Sequence, residues 1–100
     1  MSEKIIVKID GDLEELIPGF LENRKKDIEL LEAALKNDDF QSIQSIGHSL
    51  KGVGGGYGFD GMSEIGAELE QTGKTMDAGL AGEHVTALKD YMSRIEVVFE

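Results

Sequence analysis

The sequence predicts an all-α protein, an antiparallel up-and-down four-helix bundle with a short additional N-terminal helix or a kinked first helix. Three observations carry that expectation. Apolar residues recur at three- and four-residue steps in four separate segments, the spacing of an amphipathic helix face. The connections between those segments are short, which makes neighbouring helices run in opposite directions. The chain has 100 residues, 40% hydrophobic and 30% charged, the size and balance of one folded domain with one core.

At the N-terminus, Ile5 to Ile9 alternate as a strand would, but no second apolar stretch suggests itself as a partner. Residues 1–11 are therefore expected to form an extended arm, and residues 12–100 the bundle. Asp10-Gly11-Asp12 supplies turn chemistry and an N-cap, followed by Glu14 and Glu15 where the helix dipole favours carboxylates. Leu13, Leu16, Ile17, Phe20, Leu21, Ile28, Leu31 and Leu35 then form one stripe reaching about Lys36. Pro18 lacks an amide hydrogen and crowds the preceding turn, so it predicts either a kink or a short helix at 12–17 followed by a long one at 18–37.

Asn37-Asp38-Asp39 closes this segment and caps the next, whose stripe is Ile43, Ile46, Leu50, Val53 and Tyr57, ending near Gly58. Phe59-Asp60-Gly61 makes the following turn. Met62, Ile65, Leu69 and Met76 line a third helix that stops around Gly79. The last helix, expected to start between Leu80 and Gly82, buries Val85, Leu88, Met92, Ile95 and Phe99 and runs to the C-terminus.

Composition excludes several classes of function. With 10 basic and 20 acidic residues the formal charge is -10, which repels nucleic acid and anionic membrane surfaces. No apolar run approaches the ~20 residues a bilayer requires, and the start is too short and too charged for a signal peptide, so a cytoplasmic protein is expected. Met1 and its polar leader suit an independent chain, with a piece of a larger kinase as the other option. The absence of cysteine removes disulfides, thiolate metal sites and a thiol nucleophile. Two histidines, His48 and His84, leave a zinc site short of its usual ligands, so no metal and no cofactor are expected. His84, beside Glu83, reads as a surface residue. Gly56 to Gly61 fits G-x-G-x-x-G but leaves a helix rather than a strand. Gly73-Lys74-Thr75 has Glu68 where a P-loop needs its leading glycine, so no ATP site is expected.

His48 is the residue that requires explanation. At 100° per residue it lies about 160° from both Ile46 and Leu50, facing away from the core. Around it on that face lie Gln41, Gln44, Ser45, Lys51, Gly52 and Gly55. Glycines within a helix cost about 0.8–1 kcal/mol each relative to alanine, and those beside His48 leave room for another protein to reach the ring. A neutral imidazole nitrogen is nucleophilic near neutral pH, and a phosphorylated ring nitrogen passes its group on readily. Lys51, one turn along, can offset phosphoryl charge. A carboxylate on the other ring nitrogen would fix the tautomer.

His48-Ser49-Leu50-Lys51-Gly52, with Gly58 ten residues after the histidine, resembles the signature of histidine-containing phosphotransfer (HPt) domains, and the likeness extends from Asp12 to Phe99 in helix number, order and length. The resemblance implies that His48 carries a phosphoryl group, Lys51 assists it and Gly52 keeps the surface open. It also implies a role for Glu70, where chemotaxis kinases carry a glutamate that bonds the histidine ring and many other HPt domains carry a different residue. The partners it implies are response-regulator receiver domains and, as a further candidate, a histidine kinase. They would dock over Gln41, Gln44, Ser45, Ser49, Gly52 and Gly55, supply Mg²⁺ and catalysis, and meet a monomer that is a phosphoryl carrier rather than an enzyme. The competing reading is a non-phosphorylated helical adaptor with the same docking face. A helical metal-binding bundle is a third, disfavoured by the lack of paired Glu-x-x-His motifs.

Overall fold

The computed structural model describes residues 3–100; Met1 and Ser2, part of the expected arm, lie outside them. The chain runs through strand β1 (Ile5–Ile9), a 3-10 helix (Gly11–Leu16), α1 (Ile17–Lys36), α2 (Phe40–Tyr57), α3 (Asp60–Thr75), α4 (Ala78–Arg94) and strand β2 (Ile95–Phe99). Four helices dominate, and one core cluster draws on all of them, with Leu31, Ile43, Leu50, Phe59, Met62, Leu69 and Leu88 fully buried.

Each helix boundary has a local cause. Pro18 occupies the first turn of α1, where its missing amide costs nothing, so the break falls between the 3-10 helix and α1 rather than within a helix. The Asp39 carboxylate caps α2 by accepting from the amide and hydroxyl of Ser42. Gly58 ends α2 at φ 95°, a left-handed position that favours glycine, and donates its amide back to the last turn. Phe20 of α1 stacks on Tyr57 and Phe59 with ring centroids 4.5 and 5.0 Å away, locking the end of α2 against α1.

Several expectations require correction. Ile5–Ile9 does have a partner: β1 pairs in parallel with β2, Ile5 opposite Ile95 and Ile9 opposite Phe99. The last helix accordingly stops at Arg94 instead of reaching the C-terminus. Ile95 and Phe99 also fit a helical step of four, which disguised the two-residue alternation of Ile95, Val97 and Phe99. A parallel partner some ninety residues away gives no local sequence signal. The third helix ends at Thr75, and its cap Met76 takes the left-handed conformation and is 66% exposed, so Met76 does not line the core. Gly79 is not a stop, because Asp77 already caps α4 by accepting from the Leu80 amide. His84 is not a free surface residue; its Nδ1 lies 3.0 Å from Glu68 Oε2, linking α4 to α3.

The apolar stripes also omit what brings α2 and α3 together. Gly47 and Gly54 of α2 and Gly66 and Gly73 of α3 are buried, and they form a seam where backbone meets backbone. A Cβ at Gly54 would stand 2.8 Å from the Ser63 amide nitrogen, and one at Gly73 would stand 2.6 Å from that of Gln44. Along this seam, later residues of α2 meet earlier residues of α3.

Candidate functional site

The site grows out of that seam. His48 follows the buried Gly47, so its ring leaves α2 beside α3 with 73% of its side chain exposed. Glu70 follows the fully buried Leu69 on α3, and its side chain, 17% exposed, lies along the edge of the helix pair. His48 Nδ1 and Glu70 Oε2 are 2.9 Å apart. An ionised carboxylate only accepts, so the ring nitrogen donates and Nδ1 carries the proton. Nε2 has no protein partner among the described residues. Lys51 Nζ lies 4.0 Å from the other Glu70 oxygen, with its side chain 55% exposed. One carboxylate thus touches both the ring and the cation.

Apart from Glu70 and Lys51, the face around His48 carries uncharged residues. Gln41, Ser45, Ser49, Gly52 and Gly55 are exposed around the ring, whereas Gln44 is half-buried against Gly73 at the seam. A Cβ at Gly52 would meet nothing within 4 Å, so this glycine serves no packing inside the molecule. A Cβ at Gly55 would stand in ordinary contact with Ser63, whose hydroxyl donates to the Lys51 carbonyl at 2.8 Å. Hydrogen bonds from Ser42 hold the Asp39 carboxyl below its ordinary 3.8, so the charge that caps the site helix persists into acid.

One signal available in the sequence lay outside the apolar and motif patterns. Between Phe40 and Tyr57 there is no Asp or Glu, although the chain holds 20 of them. The helix bearing His48 is the one α-helix without an acidic residue, and Lys51 is its only lysine or arginine. The G-x-G-x-x-G string has a structural occupation: Gly58 caps α2, and Gly61 packs under the Tyr91 ring. Gly73 belongs to the helix seam.

The mostly helical bundle thus presents an exposed histidine bonded by a carboxylate and flanked by a lysine. A family model described as the Hpt domain matches residues 15–97, and the chain belongs to that family. The family assignment brings with it a phosphotransfer-type role in phosphorelays. The chain matches no curated protein and no solved structure. Among the described residues no helix is long and apolar enough to cross a membrane, and no three acidic, histidine or cysteine side chains cluster as metal ligands.

Proposed function

We propose that His48 accepts a phosphoryl group on Nε2 and relays it to or from an aspartate of a receiver domain. The single observation carrying this reading is the 2.9 Å bond between Nδ1 and Glu70, which leaves the Nε2 lone pair as the nucleophile on an exposed ring. In the uptake direction, Nε2 forms a bond to phosphorus as the aspartyl O–P bond breaks, and the aspartate leaves as a carboxylate with the electron pair. The ring becomes a phosphoramidate with positive charge shared toward Nδ1–H, and Glu70 stabilises that charge. Lys51 faces the phosphoryl oxygens from the same helix. The transfer reverses without any proton leaving the ring.

The acid-free α2 supports the same reading. A phosphoryl dianion and a carboxylate-lined acceptor site would be repelled by an ordinary surface of this chain, and the docking face of Gln41, Gln44, Ser45, Ser49, Gly52 and Gly55 spares them that repulsion. We take residues 12–100 as the phosphotransfer domain, its four helices running alternately up and down, acting as a cytoplasmic monomer and carrier rather than an enzyme, with receivers and a histidine kinase as its partners. The test is incubation with a panel of phosphorylated receiver domains, following acid-labile phosphate. Transfer to the wild type and none to His48→Gln is expected. Failure across the panel, or undiminished transfer to His48→Gln, would contradict the proposal and favour a non-phosphorylated adaptor.

A further inference from the structure

We propose that Gly47 and Gly66 are positioning residues that set the reach of Glu70 to His48, an inference that rests on reading His48 as the phosphoacceptor. The two glycines face each other across the α2–α3 seam, and the backbones they meet are those of the site itself. A Cβ on Gly47 would overlap the Glu70 amide nitrogen and stand 2.8 Å from the Gly66 carbonyl oxygen. A Cβ on Gly66 would stand 2.5 Å from the Lys51 amide nitrogen and 2.8 Å from the Gly47 carbonyl oxygen. Each obstacle is backbone, so no rotamer change relieves it and the helices must separate.

That separation acts directly on the site. Glu70 stands on one side of the seam and His48 and Lys51 on the other, with the ring bond at 2.9 Å. Moving the helices apart by roughly 1 Å would take that bond past the range in which a hydrogen bond operates. Released from Glu70, the neutral ring is free to place its proton on Nε2, which removes the lone pair that takes the phosphoryl group. The seam is fastened two turns back along α3, on the face that also carries Glu70, by the Ser63 hydroxyl, which donates to the Lys51 carbonyl at 2.8 Å.

The ring tautomer tests this without requiring phosphotransfer. Ring ¹H–¹⁵N correlation spectra of the neutral His48 imidazole are expected to show the Nδ1–H form in the wild type. Gly47→Ala and Gly66→Ala are expected to shift the ring toward Nε2–H, as Glu70→Ala does, and to slow phosphorylation by phosphoramidate about three- to tenfold. Gly66→Ala combined with Glu70→Ala should change neither quantity beyond Glu70→Ala alone, because both act through one bond. Gly56→Ala, on the same helix with nothing within 4 Å of the added Cβ, should keep the wild-type tautomer. A folded glycine variant with the wild-type tautomer, or additive effects in the double variant, would overturn the proposal. Should neither glycine variant fold, Ser63→Ala, which adds no volume, must show a smaller shift in the same direction, and a wild-type tautomer there would overturn it equally. If the tautomers move as expected but the wild type takes up no phosphate, the positioning stands and the phosphoacceptor reading falls.

Discussion

Between α2 and α3 the helices meet backbone to backbone at Gly47, Gly54, Gly66 and Gly73, whereas α1 and α4 enter the same core with whole side chains, Phe20, Ile28 and Leu31 from one and Val85, Leu88 and Tyr91 from the other. The difference concerns how much each interface can give. A contact between large side chains absorbs small shifts through rotamers, at an energetic cost but with little change in where the helix axes lie. Backbones in direct contact have no such freedom, so their separation is fixed by the glycines themselves. The candidate site sits on the stiff interface, with His48 and Lys51 on one wall and Glu70 on the other. Large side chains from all four helices supply the core, and the glycine seam adds a fixed geometry between α2 and α3.

That division can be broken by substitutions chosen on either side of it. The largest expected effect on stability comes from Leu31→Ala, which removes a fully buried side chain from α1 and should cost about 2–5 kcal/mol in urea unfolding. Its folded fraction should keep the wild-type His48 tautomer; a tautomer shift there would show that the two halves are not separable. A smaller effect is expected at the entrance to the site helix. The Asp39 carboxyl is held below 3.8 by Ser42, so the charged cap stabilises the fold at neutral pH, and that contribution is lost only as pH falls through the lowered folded value. Thermal melts of Asp39→Ala should therefore lie below the wild type at pH 7 and converge with it in strong acid. A gap that stays constant down to pH 2 would mean that the cap acts without its charge.

The four helices were legible because their large apolar residues carry a helical period that survives without tertiary information. The strands were not, since a five-residue segment read alone fits both a helical step and a strand alternation, and the pairing that decides between them joins opposite ends of the chain. His48 and Lys51 were legible together because one helix fixes their spacing. The distance from Glu70 to His48 was not, because it depends on how closely α2 and α3 approach, and that is set by glycines that a count of apolar side chains passes over. The outward face of His48 illustrates both sides of this. Helical geometry turned the ring away from Leu50 correctly, yet the adjacent Gly47 is buried, which places the ring at the edge of the α3 contact rather than on an isolated surface.

The central claim is that Glu70 occupies Nδ1 and leaves Nε2 to react. Phosphorylating the ¹⁵N-labelled protein and reading which ring nitrogen couples to phosphorus tests it most directly. The account predicts coupling to Nε2 of His48 alone; phosphate on Nδ1, or on His84, would contradict it.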